Sequence, residues 1–180
     1  MGLCIMSIQS ICRSGIVTIL IISCSISCTH DTAYNAKSGL KKKYRPIVRQ
    51  IGKPSPTAKK IVAFAEQNIG KKVGDGQCWG LANLAYRHAG IKHRGGYAWG
   101  RRIHWQTEGV RPGDIIQFKN ARYPYAYTDE NHTAIILKVM SKSSVKVAHQ
   151  NWNHIYRVTT TNIPLVYLRS GSQIVYRYEP

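Results

Sequence analysis

The stretch DGQCWGLANLAYRHAG, from Asp75 to Gly90, carries the residue pattern best suited to making a nucleophile. Asp75 and Gly76 form a turn signal, and Leu81, Leu84 and Ala85 recur at helical spacing behind Cys78. Gly90 stands where a helix would be capped. The spacing therefore predicts a helix that opens at Cys78 and closes near His88. A thiol in the first turn of a helix faces unpaired backbone N–H groups and the positive end of the dipole, and both favour the thiolate. That is the chemistry of a cysteine hydrolase. The bland alternative is a buried cysteine packing as a small hydrophobe. Cysteine usage weighs against it: Cys4, Cys12, Cys24 and Cys28 all lie in the N-terminal segment, so Cys78 has no disulfide partner in the expected folded domain.

A nucleophile needs a proton acceptor, and strand phase picks out where one can stand. HTAIILKVM (residues 132–140) and SVKVAHQN (residues 144–151) read as consecutive strands. Alternate residues share a face, so His132 lies with Ala134 and Ile136, while Val145, Val147, His149 and Asn151 share a face of the next strand. A hairpin can bring His132 near His149 or Asn151, with the cysteine helix packed across that face. The remaining histidines, His30, His88, His93, His104 and His154, are expected at the surface or in structural roles. A metal held by Cys78, His132 and His149 has suitable ligand types but no short paired spacing to support it, so neither metal nor cofactor is expected.

The surrounding elements follow from the same patterning. Thr57 is expected to cap a helix reaching Ile69, with Ile61, Phe64, Ala65 and Ile69 as its buried stripe. IKHRGGYAWGRRIHW (residues 91–105) reads as loop. Arg111-Pro112-Gly113-Asp114 is a turn signal launching Ile115–Phe118 as a buried strand, and Asn120–Asn131, with Tyr123, Tyr125 and Tyr127, reads as a polar loop delivering His132. Tyr156–Thr161 and Ile174–Tyr178 complete the strands. Helices come first and strands after, so the fold class is α+β with a mostly antiparallel sheet of five or six strands.

Upstream, GIVTILIIS (residues 15–23) after Arg13 suits the apolar core of a secretory signal, and Ile21-Ile22-Ser23-Cys24 resembles a bacterial lipobox. Residues 1–28 are thus expected to be a leader, cleaved or lipidated, 29–56 a basic tether, and 57–180 the hydrolase domain, exported to the cell envelope or secreted, and monomeric. The chain has 26 Lys and Arg against 8 Asp and Glu, a net charge of +18, which predicts attraction to anionic polymers without choosing among them. No zinc-finger spacing, RNP-like motif or repeat points to a dedicated nucleic-acid module.

Taken together, GQCWGLA, VRPGDIIQF, NHTAIIL and VAHQNWN resemble the papain-like cysteine peptidase/amidase superfamily, and within it the CHAP and NlpC-type cell-wall hydrolases. The resemblance spans residues 57–180. It implies Cys78 as nucleophile, His132 as base, and His149 or Asn151 as the residue that orients the imidazole. His149 occupies the position of a glutamate in the block common among CHAP domains, while Asn151 matches that block. The backbone N–H of Cys78 is expected to hold the oxyanion, with Gln77 as a second donor or simply a turn residue. Tyr97, Trp99 and Trp152 are candidates to line a substrate groove, Trp152 having a core role as its alternative. An exported amidase meets peptidoglycan peptides first, which makes these the expected substrate. Peptidase, amidase and acyl-transfer chemistry are not separable from these residues. A basic, non-catalytic envelope-binding module that keeps the fold is the competing expectation.

Overall fold

A computed structural model describes residues 52–124, 128, 131–141 and 144–180. The expected leader, with Cys24, lies outside the described residues, as do Tyr125, Tyr127 and the tether up to residue 51.

Helix α1 (Pro56–Gln67) begins one residue before the expected cap. Ser55 rather than Thr57 caps it: the Ser55 hydroxyl accepts from the Ala58 N–H at 3.1 Å, and Pro56 occupies the first helical position, where its missing N–H costs nothing. The helix stops at Gln67 because Asn68 leaves helical dihedrals and its side chain donates to the Phe64 carbonyl. Ile69, expected in the buried stripe, is consequently 47% exposed. Helix α2 (Cys78–His88) follows, as the periodicity predicts.

Next come β1 (Arg101–Ile103), inside the stretch expected to be loop, and the single turn α3 (Trp105–Glu108), which begins at that stretch's last residue. Strands β2 (Ile115–Arg122), β3 (His132–Val139), β4 (Val145–His149), β5 (Thr159–Ile163) and β6 (Ser170–Arg177) complete the chain. They form one six-stranded antiparallel sheet in the order β1-β6-β2-β3-β4-β5, which makes the fold α+β. β5 starts three residues later than expected and β6 four residues earlier, since exposed ends carry no apolar alternation to mark them.

The two sheet faces bury different sets of residues. Leu81, Ala82 and Ala85 of α2, with Ile61 and Ala65 of α1, pack on Ile115, Ile135, Leu137 and Ala148. Ile116, Phe118, Ala134, Ile136, Val147 and Val175 form the opposite face with Trp105, Tyr123 and Leu165. The cysteine helix thus lies on the odd-numbered face of β3. The expectation that it crosses the Ala134–Ile136 face is incorrect: on that strand it is Ile135 and Leu137 that meet the small residues of α2.

The turn before β2 is fixed by a buried ion pair. Both Asp114 carboxylate oxygens accept from Arg177 at 2.9 and 2.7 Å, and one also accepts from the Arg111 N–H at 2.7 Å. Gly113 has φ +91, and a Cβ there would come within 2.7 Å of Ala58, so the turn rests directly on α1. Asp114→Ala would leave the Arg177 guanidinium buried without its counter-charge. A loss of about 3–5 kcal/mol is expected, read as a lower denaturation midpoint in urea.

Candidate active site

The sequence Asp75-Gly76-Gln77-Cys78 builds the start of α2 from local geometry. The Asp75 carboxylate accepts from the Gln77 N–H at 2.9 Å, and Gly76 takes φ +89 to turn the chain. Gln77 is then the N-cap and Cys78 the first helical residue. Gly80 makes room for this turn: a Cβ on it would stand 2.5 Å from Asp75 Oδ1. Cys78 is a free thiol, partly exposed, at the position the sequence predicts.

The helix start is tied to the sheet by the residues that follow β4. Gln150, fully buried, points to the helix side. Its Oε1 accepts from the Val73 N–H at 2.8 Å, and its Nε2 donates to the Val73 and Gln77 carbonyls at 2.9 and 3.2 Å. Asn151 donates from Nδ2 to Gln77 Oε1 at 2.6 Å, its backbone in the left-handed region at φ 56. Gln150 has no role in the site expected from the sequence. A long amide in an otherwise apolar strand end, next to a turn with unpaired backbone groups, is the signal that could have found it.

His132 and His149 lie together on the other face. Ala134 pairs with His149 in the β3–β4 register, and the two imidazole rings are 5.3 Å apart between centroids, nearly perpendicular. Trp152 closes over both, at 4.8 Å from His132 and 4.5 Å from His149, and Phe118 stacks on His132 at 6.3 Å. His149 Nε2 is 2.8 Å from the Thr161 hydroxyl. His132 Nε2 and His149 Nδ1 are buried with no hydrogen-bond partner, so Cys78 is not bonded to either atom. Burial holds both rings neutral: it pushes His132 down to about 3, with neighbouring His149 adding to the shift, and His149 down to about 4.

The structure separates the three groove candidates. Tyr97 is exposed and Trp152 lies against the histidines. Trp99 is fully buried, and its assignment to a substrate groove is corrected: it stacks on His93 at 4.1 Å and packs edge-on against Tyr86. The loop carrying it is pinned to α2 by Trp79 Nε1 donating to the Gly96 carbonyl and by the Tyr86 hydroxyl donating to the Trp99 carbonyl, both at 2.6 Å.

The AIM3/BBC1 cysteine proteinase-fold domain matches residues 55–180. A curated relative, altered inheritance of mitochondria protein 3 from the yeast Debaryomyces hansenii, is 27% identical over 199 aligned positions. The match takes in 89% of this chain, which spans about a fifth (21%) of that relative's length. Two crystal structures of Ly7917, one with the hydrolyzing product of MDP, are similar at TM-scores of 0.44 and 0.45. Each is 17% identical and covers 66% of this chain and 62% of the other.

Depressed histidines make the fold acid-sensitive. An imidazole titrates near 6.5 when unfolded, so below that pH the unfolded chain binds protons that folded His132 and His149 refuse, and stability falls. The thermal midpoint is expected to drop between about pH 6.5 and pH 4. The double variant His132→Leu/His149→Leu should flatten that slope.

Proposed function

Because this chain belongs to the AIM3/BBC1 cysteine proteinase-fold family, we propose that it hydrolyses amide bonds, with Cys78 as nucleophile and His132 as base. The observation that carries this reading is the tie between the two halves of the site. Gln150 and Asn151 fasten the start of the cysteine helix to the end of β4, where His149 lies against His132.

In the proposed reaction the sulfur attacks the carbonyl carbon while the thiol proton passes to His132, so a C–S bond forms and the carbonyl electrons move to oxygen. His132 is neutral at rest, and it therefore takes the proton as the bond forms rather than waiting as a preformed ion pair. The backbone N–H of Cys78, at the first helical position, has no intrahelical partner and is free to hold the oxyanion. Gln77 is suited to assist: Asn151 occupies its amide oxygen, leaving the NH₂ group to donate. Collapse breaks the C–N bond, and the imidazolium returns its proton to the leaving amine. Water, deprotonated by His132, then cleaves the thioester and restores the thiol. Of the two orienting candidates, Asn151 is committed to Gln77, whereas His149 adjoins the base, and we assign the orienting role to His149.

Peptide amides are the proposed substrate class. A chain exported and anchored through Cys24 would meet peptidoglycan peptides first, which is the reason to test them. The yeast relative gives that particular substrate no support. A non-catalytic basic module that keeps the fold is favoured by one observation, the sealing of His132, which is 5% exposed beneath Trp152.

Incubating the chain with purified peptidoglycan and with a peptide library, followed by mass analysis, separates these readings. Cys78→Ala is expected to lose activity on the order of 10³-fold or more, and His132→Ala roughly 10²–10⁴-fold. Equal release by wild type and Cys78→Ala, or release by neither, assigns the chain to the binding role.

A further inference from the structure

The segment that follows β4 touches both halves of the proposed site. Trp152 lies over His132 and His149, Asn151 donates to the Gln77 side chain, and the chain then reverses so that Tyr156 comes to rest beside Gly76. The reversal is tight: the Asn151 N–H donates to the Ile155 carbonyl at 2.8 Å, and the Ile155 N–H to the Trp152 carbonyl at 3.1 Å. Asn153 and His154 at its tip both have positive φ, 51 and 59, the handedness that a two-residue hairpin requires.

Gly76 fixes where Tyr156 stands. A Cβ on Gly76 would lie 3.2 Å from Tyr156 Cβ and 3.0 Å from Lys72 Cε, so the stem of the tyrosine packs against the glycine two residues before Cys78. Two Cα–Cα steps of about 3.8 Å, added to that contact, put the stem within about 12 Å of the Cys78 Cα. The residue is nonetheless 47% exposed. An aromatic ring anchored at its base and open to solvent offers a ligand a large apolar area at little cost in ordering. An extended peptide advances about 3.3 Å per residue, so a side chain reaching this ring belongs within about three or four residues of an amide held at Cys78. Lys72 brings a positive charge to the same place, which disfavours a cationic side chain there.

We propose that Tyr156 is a specificity-determining residue: its exposed ring receives a large uncharged side chain, aromatic or branched aliphatic, of a peptide bound across Cys78. This names the class of peptide and rests on the hydrolase reading above, in which Cys78 is the nucleophile.

The test measures binding and cleavage separately on the full chain, with blocked glycine- and serine-based peptides carrying one central Phe, Leu, Lys or Gly. For binding, Cys78→Ala labelled with ¹³C at tyrosine is titrated with each peptide. The Phe and Leu peptides are expected to shift the Tyr156 ring resonances, and the Lys and Gly peptides to leave them in place. Affinity for the Phe peptide should fall about tenfold when Tyr156→Ala is added. It should be kept with Tyr156→Phe and with Tyr167→Ala, the control for loss of an exposed tyrosine. In cleavage by the chain with Cys78 intact, kcat/KM should favour Phe over Gly by about tenfold or more, chiefly through KM, and Tyr156→Ala should erase that preference. Tyr156 resonances indifferent to the Phe peptide, or the same preference in wild type and Tyr156→Ala, overturn the proposal while leaving the hydrolase reading intact. If binding follows Tyr156 but wild type cleaves no peptide, the assignment of Tyr156 as the peptide contact stands and the hydrolase reading falls.

Discussion

Gln150 amide groups bond the two backbone atoms of Val73 and the carbonyl of Gln77, and on that contact the geometry of the whole site depends. Val73 and Gln77 bracket the turn that precedes α2, a segment that would otherwise be sheltered with unpaired polar groups. By supplying both a donor and an acceptor from one planar amide, Gln150 substitutes for a strand neighbour and locks the turn to the end of β4. Asn151, next in sequence, fixes the Gln77 side chain. The position of Cys78 is therefore referenced to the sheet through its two preceding residues and not through the sulfur itself.

This attachment joins a helix on one sheet face to the end of a strand whose histidine projects from the other. α2 packs its small residues, Ala82 and Ala85, on the face of Ile135 and Ala148. His132 and His149 belong to the face of Phe118 and Trp152. The block His149-Gln150-Asn151 straddles that division: the first side chain lies against His132, the second holds the turn, and the third holds the N-cap residue. Three consecutive residues thus connect both sides of the sheet at the place where β4 ends.

The histidine pair is built as an apolar site with polar edges. Aromatic rings exclude water from both imidazoles, and burial keeps them uncharged. On the helix side, the carboxylate of Asp75 rests against Gly80 and orders the turn, so the glycines flanking Cys78 have separate duties, Gly76 in backbone angle and Gly80 in space.

The amino-acid sequence by itself determined the helix at Cys78–His88, the strand phase of His132 and His149, and the α+β class, because 3.6- and 2-residue periodicities are local properties of apolar spacing. It also placed the PGD turn, although the reason for its aspartate lay 63 residues away in Arg177. What only the tertiary structure decided was which face each element meets. Strand phase says that His132 and Ala134 share a side but not which side receives α2, a choice set by the fit of Ala82 and Ala85 onto Ile135 and Ala148. The burial of Trp99, the capping by Ser55, β1 within a glycine-rich stretch, and the duty of Gln150 were hidden for the same reason. Each depends on a partner distant in sequence, and no local pattern records a contact whose other half lies elsewhere in the chain.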